Sequence, residues 1–247
     1  MSITLRTSRS SVSTNPIPRG CVRYLPLWSP GLNGSAFRSV DSFQKECNVT
    51  GATHLAKGRY FDGTNDLIDL GSFNPQGDSQ KQLTVVFWWS GATGGPRIIS
   101  HWDIGTNQRS FYVTVNSTEF MVYLTDTGID DDHDKVFRSI VDYTDGVSRM
   151  FGFTFNGNET NANEANRMLR LFLNGSRIAE ASLTMTSDDA FTTIANSTAQ
   201  VLLGAGENNS VAVNFTEGTT EEVWLYERTL SNEEMSYLYY QTLRSWR

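Results

Sequence analysis

The stretch Leu83-Thr84-Val85-Val86-Phe87-Trp88-Trp89 is apolar on both faces of an extended chain. A strand covered on both sides is typical of the centre of a sheet. Other segments alternate apolar and polar residues, at 110–115, 120–124, 151–155 and 169–173. This period of two predicts strands, and Asn174-Gly175 after the last segment predicts a tight hairpin. Short strands with frequent turns predict an all-β antiparallel β-sandwich.

The C-terminal part of the chain changes to a helical period. Ser231 and Glu234 have the spacing of a capping box, with Leu230 and Met235 at the positions of a hydrophobic staple. Apolar residues then recur on one helical face, at Met235, Leu238, Tyr239, Leu243 and Trp246. We therefore predict one domain over residues 21–247, with a short helix over 231–246 that seals the sandwich.

Charge is distributed unevenly along the 247 residues, whose net charge is −7. The first forty residues contain five arginines and no acid, and residues 1–20 have the composition of an extended basic arm. An acidic body argues against nucleic-acid binding, and no apolar stretch reaches the ~18 residues of a membrane span. We expect the arm to anchor the domain on another protein through Arg6, Arg9, Arg19 and Arg23.

The sequence contains few residue patterns typical of catalytic sites. His54, His101 and His133 lack the spacing of a metal site, and no nucleophile elbow or phosphate-binding loop occurs. Glutamates 221 and 222 are adjacent, so on a strand they would point to opposite faces rather than act as a pair. Cys21 and Cys47 fit a disulfide and two buried thiols equally well. The sequence therefore predicts that the protein is not an enzyme.

Two kinds of residue are candidates for binding. The acids in the turn at residues 62–66, Asp62 and Asp66, offer the oxygen ligands that Ca²⁺ prefers, and the acids at 126–134 offer a weaker alternative. Calcium is thus the one cofactor we expect here. Trp102 and Asp103 lie in a segment with the composition of a loop, and an exposed indole there is the best candidate for stacking on a sugar.

The order of five segments resembles the laminin-G-like, or concanavalin A-like, jelly-roll superfamily. They are residues 60–66, 83–89, 98–103, 169–176 and 222–239. The resemblance implies a jelly roll over residues 22–240, in a fold that hosts lectins, adhesion domains, glycosidases and virion proteins. The glycosidase branch carries a Glu-X-Asp-X-(X)-Glu strand that this chain lacks. Calcium-binding branches use acids at the rim of the sandwich, which Asp62, Asp66 and Asp103 match loosely.

A copy of this fold with only a plain arm resembles phage structural proteins. This implies a non-catalytic virion-associated structural or adhesion protein, such as a capsid decoration, head-fibre or tail-attached module. We then expect a homo-oligomer located on the virion, bound to other virion proteins through the arm and to host surface polysaccharide through the sandwich. The alternative is a soluble carbohydrate-binding lectin, secreted or at the cell surface by a non-conventional route. A polysaccharide-degrading glycoside hydrolase is a third interpretation.

Overall fold

The computed structural model describes residues 18–73, 81–129, 134–159, 168–188 and 192–243. Within them the chain forms two antiparallel sheets packed face to face, followed by one α-helix. Sheet I contains β1 (Cys21–Pro26), β4 (Thr53–Leu55), β5 (Gly58–Asp62), β7 (Gln82–Ser90), β12 (Arg149–Asn156), β13 (Leu169–Leu173), β14 (Ser176–Arg177) and β19 (Glu217–Tyr226). The predicted all-β sandwich is confirmed.

Sheet II is the larger sheet and lies opposite sheet I. It contains β2 (Ala36–Arg38), β3 (Glu46–Thr50), β6 (Leu67–Ser72), β8 (Gly95–Asp103), β9 (Gln108–Val115), β10 (Phe120–Thr125), β11 (Asp134–Ser139), β15 (Leu183–Asp188), β16 (Gln200–Leu203), β17 (Gly206–Asn208) and β18 (Val211–Val213). The central order is β11-β10-β9-β8-β16-β6-β3, and the β17–β18 hairpin joins β8 through one parallel pair. Short 3-10 turns occur at Pro30–Leu32 and Glu180–Ser182.

Alternation along the strands builds the core between the sheets. Phe111, Val113 and Val115 of β9 point inward, as do Phe151 and the following alternate residues of β12. Each large apolar side chain that is fully buried stabilises the fold by about 1.5–3 kcal/mol relative to an exposed one. The predicted inward faces of β9, β10, β12 and β13 are thus confirmed.

A second apolar layer covers the outer face of sheet I. The helix α1 (Asn232–Thr242) packs there, with Met235 and Leu238 against Trp88. The indole N–H of Trp88 donates to Thr242 Oγ1 at 2.8 Å. Trp89 belongs to the inter-sheet core, so the helix explains why both neighbouring tryptophans are buried although their side chains alternate.

The local signals at the hairpin and the helix are also confirmed. Asn174 and Gly175 connect β13 to β14 with φ angles of 49° and 76°, the left-handed pair that a type I′ turn requires. Ser231 and Glu234 form both hydrogen bonds of the capping box. The helix ends at Thr242, before the predicted end at residue 246, and Leu243 is exposed.

The predictions for the N-terminal arginines and cysteines have mixed outcomes. Arg6 and Arg9 lie outside the described residues, and Arg19 is exposed, with its carbonyl accepting a 2.7 Å hydrogen bond from Arg228 Nε. Arg23 is not part of an extended arm, because it lies in β1 and is buried. Cys21 and Cys47 are free thiols, and burial raises the pKa of each to about 12.

Candidate functional site

A polar pocket opens at one end of the sandwich, where β6 and β8 end and β9 and β16 begin. Its volume is about 490 Å³, a size typical of small-ligand sites. Carboxylate, amide and hydroxyl side chains form most of its wall. We call it the Asp103 pocket, and it is lined by Asp103, Thr106, Gln108, Thr198, Ala199, Gln200, Glu207 and Ser210.

Asp103 holds the two turns that flank this pocket. Its Oδ1 accepts the backbone N–H groups of Gly105 at 3.0 Å, Thr106 at 3.3 Å and Asn209 at 2.8 Å, while Oδ2 accepts that of Ser210 at 2.8 Å. Burial alone would raise the pKa of Asp103, but these bonds outweigh it and hold the pKa below its usual value. The predicted site residue therefore lies in a pocket, as a fixed carboxylate.

Glu207 faces Asp103 across the parallel contact between β17 and β8. Its Oε2 accepts the backbone N–H of Gln200 at 3.2 Å, and its Oε1 has no hydrogen-bond donor among the described residues. Burial raises the pKa of Glu207; the Gln200 N–H opposes this rise and the charge of Asp103 adds to it. The pocket thus offers one carboxylate oxygen to a ligand.

Trp102 is not exposed, contrary to the expectation from its loop-like sequence. Strand β8 continues to Asp103, and the indole is 5% exposed on the outer face of sheet II. It packs edge to face against Tyr112 and Tyr123, each with ring centroids 5.0 Å away. These two half-buried tyrosines stack on each other, and Arg97 covers Tyr112 with its guanidinium 3.5 Å from the ring centroid. The indole face is therefore not available for stacking on a sugar.

Asp62 and Asp66 lie away from the Asp103 pocket, at the end of β5 and the start of β6. Asp66 Oδ2 accepts the N–H of Asp62 at 2.9 Å, and Asp62 Oδ1 accepts that of Thr64 at 2.8 Å. These bonds give both acids a role in forming the turn. Across the described ranges, no group of three or more His, Cys, Asp or Glu side chains is arranged to hold a metal ion. Calcium at this turn stays a prediction. Part of the other acidic cluster, at residues 130–132, lies outside the described residues.

A second pocket lies at the same end of the sandwich as the Asp103 pocket. Its volume is about 300 Å³, and we call it the Arg23 pocket. The two pockets are adjacent because Ser72, in the wall of one, is paired with Gln200, in the wall of the other. Aromatic, basic and acidic residues line it, namely Val22, Arg23, Phe43, Lys45, Ser72, Phe73 and Glu227.

Sequence reasoning missed most of the residues around these pockets. Gln200 and Glu207 lie close together in the sequence but far from Gln108 and Asp103, and only the pairing of β8 with β9, β16 and β17 brings them together. One local signal was present for Glu207. The sequence Asn208-Asn209-Ser210 after it favours a tight turn, and residues 209 and 210 adopt φ angles of 52° and 59°.

No helix in the described part of the chain is long and apolar enough to cross a membrane.

Comparisons with known proteins find likeness in structure alone, since no family model and no curated protein matches the chain. The binding domain of Paraclostridial Mosquitocidal Protein 1 superposes with a TM-score of 0.62 at 13% identity, over 89% of this chain and 52% of that one. The ligand-binding domain of botulinum neurotoxin serotype D, solved with N-acetylneuraminic acid, gives 0.60 at 12% identity over 90% and 51%. A heptameric pentraxin from Limulus polyphemus gives 0.51 at 13% identity over 73% and 80%.

The chain spans about half the length of the two toxin domains. At these identities the likeness concerns architecture alone. It agrees with the expected concanavalin A-like fold: the chain is a two-sheet jelly-roll sandwich with one C-terminal helix.

Proposed function

We propose that this chain is a non-catalytic carbohydrate-binding domain and that the Asp103 pocket is its binding site. The observation that carries the proposal is the lining of that pocket. Two carboxylates, two glutamines and three hydroxyls surround a space of about 490 Å³. Such a wall offers many hydrogen bonds and little apolar surface, which suits a ligand rich in hydroxyl groups.

The polar wall is held in place before a ligand arrives. Asp103 fixes the turns at residues 105–106 and 209–210, and Gln108 Oε1 accepts the N–H of Thr198 at 2.8 Å. Ordering these groups in advance reduces the entropy lost on binding. Structural neighbours support this proposal, because they include a toxin domain solved with N-acetylneuraminic acid.

A glycan array followed by calorimetry on the best ligand tests the proposal. We expect Glu207→Gln to weaken binding about tenfold, because an ionised acceptor is replaced by a neutral one. Glu233→Gln is the matched control, since Glu233 is exposed in the first turn of α1, on the outer face of sheet I. Equal affinities for the two variants would exclude the Asp103 pocket as the site, and an array without any hit would refute the function.

Glycoside hydrolysis is the second candidate. Asp103 and Glu207 face each other, with the pKa of one lowered and that of the other raised, as in an acid–base pair. Against it, the Asp103 carboxylate already accepts four backbone N–H groups, which leaves little room for a nucleophile or an activated water. Release of reducing sugar from an array ligand, abolished by Glu207→Gln, would replace the binding proposal by this one.

Attachment to a virion is a further part of the proposal, supported by Arg6, Arg9 and Arg19 and the absence of acids in the first twenty residues. We expect the protein to co-sediment with the particle, and replacement of Arg6 and Arg9 by alanine to release it. A protein that never co-purifies with a particle would contradict this location without affecting carbohydrate binding.

A further inference from the structure

The Arg23 pocket contains a buried cation without a carboxylate partner. Arg23 is only 6% exposed, and its Nη1 donates to the backbone oxygen of Val22 at 2.8 Å. No carboxylate of the described residues lies within the 4.0 Å of an ion pair, and the other guanidinium N–H groups have no acceptor there. Burying an unpaired charge is costly, so a site of this kind favours an anion that enters from outside.

The acids near Arg23 do not form an ion pair with its guanidinium group. Asp41 is occupied by backbone, since its Oδ2 accepts the N–H of Tyr24 at 2.9 Å and its Oδ1 that of Phe43 at 2.8 Å. Glu227 lines the pocket but lies beyond ion-pair distance from Arg23. Among the residues that line the pocket, Arg23 and Lys45 are basic and Glu227 is acidic, so the wall itself carries one net positive charge. Burial lowers the pKa of Arg23, and the charge of Asp41, which is not part of the wall, opposes this.

Aromatic rings complete the pocket. Phe43 is 55% exposed and Phe73 is buried at 4%. An exposed ring beside a guanidinium and an ammonium group suits a ligand that combines an apolar ring face with an anionic group. A sugar ring carrying a carboxylate has both features.

The neighbouring pocket has the opposite charge. Asp103 and Glu207 there repel an anion, while Arg23 and Lys45 attract one. Ser72 and Gln200 are paired residues of adjacent antiparallel strands, so their Cα atoms are roughly 5 Å apart. The two pockets therefore lie side by side at neighbouring strand ends, which brings both within reach of one oligosaccharide.

We propose that the Arg23 pocket binds the carboxylate of an acidic sugar whose neutral neighbour in the same glycan occupies the Asp103 pocket. This inference rests on the proposed carbohydrate binding and specifies its ligand class. Arg23 forms the ion pair, Lys45 adds a second positive charge at the mouth, and Phe43 covers one face of the ring. The charges of the two pockets set the orientation of the glycan, with the acidic sugar in the Arg23 pocket and the neutral sugar in the Asp103 pocket.

Calorimetry with matched acidic and neutral sugars tests the inference. The probes are digalacturonate against its methyl ester, and sialyllactose against lactose. For at least one pair we expect the wild-type protein to bind the acid at least tenfold more tightly than the neutral partner. Arg23→Gln should bring this ratio close to one while the neutral sugar binds as before.

Two further variants keep the test valid if Arg23→Gln fails to fold. Lys45 is exposed, so Lys45→Gln should fold normally and still reduce the ratio by severalfold. Lys57→Gln makes the same charge change at the other end of β19 and should leave the ratio unchanged. Equal binding of acid and neutral sugar by the wild type, or a ratio unaffected by both Arg23→Gln and Lys45→Gln, overturns the inference but leaves the proposed function standing. If none of the four sugars nor any array glycan binds, the proposed function itself fails.

Discussion

Replacement of Asp103 by asparagine is expected to destabilise the end of the sandwich that holds both pockets. The carboxylate accepts four backbone N–H groups from two turns, at 2.8 to 3.3 Å. Asparagine keeps one acceptor oxygen, so its amide N–H groups face the backbone donors that the other carboxylate oxygen accepted. Hydrogen bonds to charged groups contribute about 1.5–3 kcal/mol each and do not add fully, so we expect a loss of about 3 kcal/mol in the free energy of unfolding.

Thermal and urea unfolding measure this loss. For a domain of this size, 3 kcal/mol corresponds to a fall in Tm of roughly 6–12 °C. Amide hydrogen exchange should also accelerate in these turns, at Ser210 when the amide nitrogen takes the place of Oδ2 and at Gly105, Thr106 and Asn209 when it takes the place of Oδ1. Asp142→Asn is the matched control, because the exposed Asp142 accepts the N–H of Thr144 at 2.8 Å in a similar turn. If the Asp103 and Asp142 variants unfold at the same temperature, the carboxylate does not hold the two turns together.

Three other predictions concern the core and the packing of the helix. Burial lowers the pKa of His101 to about 4, so the unfolded chain binds its proton first as the pH falls. The stability that neutral His101 contributes above pH 6.5 should therefore be lost as the pH falls to 4, which lowers the free energy of unfolding by about 3 kcal/mol. In His101→Phe, the urea midpoint of unfolding should depend less on pH across this range. Thr242→Val leaves the indole N–H of Trp88 without its acceptor and should cost about 1–3 kcal/mol, whereas Thr242→Ser should unfold close to wild type. Gly175→Ala places a Cβ atom 2.6 Å from Tyr239 of α1. Gly146→Ala is the control, because Gly146 has a similar φ of 74° and a Cβ atom there would meet no atom within 4 Å. Calorimetry should therefore show a larger fall in Tm for Gly175→Ala than for Gly146→Ala.

Local patterns in the sequence are sufficient to predict the β-sandwich. Alternation decides which side of a strand is apolar, and Asn174-Gly175 fixes the register of its hairpin, because both depend on neighbouring residues alone. The capping box at Ser231 likewise depends on four consecutive residues. The same reasoning extends the helix past Thr242, where it ends, since helix ends are decided by weaker signals.

The candidate site was predictable only in part. The composition of the segment around Asp103 predicts a site there, but its partner Glu207 is about a hundred residues later in the chain and pairs with it through a single parallel bridge. The polar neighbours of Trp102 predict a loop, whereas the pairing of β8 with β9 continues the strand through Trp102 to Asp103. The basic composition of the N-terminal residues predicts that Arg23 belongs to the arm, because the burial of an arginine in β1 has no signature in the local sequence.

The way Asp103 holds its two turns has a consequence for how this domain can change. The carboxylate bonds to main-chain N–H groups, so it holds the N–H of residue 106 whichever side chain stands there. Gly105 and Ser210 are constrained, because a Cβ atom at 105 would lie 2.3 Å from Asn209 and residue 210 has a φ angle of 59°, which few side chains tolerate. Thr106 can therefore be randomised on an unchanged backbone, and variants selected from such a library could differ in the ligands they recognise while sharing one fold.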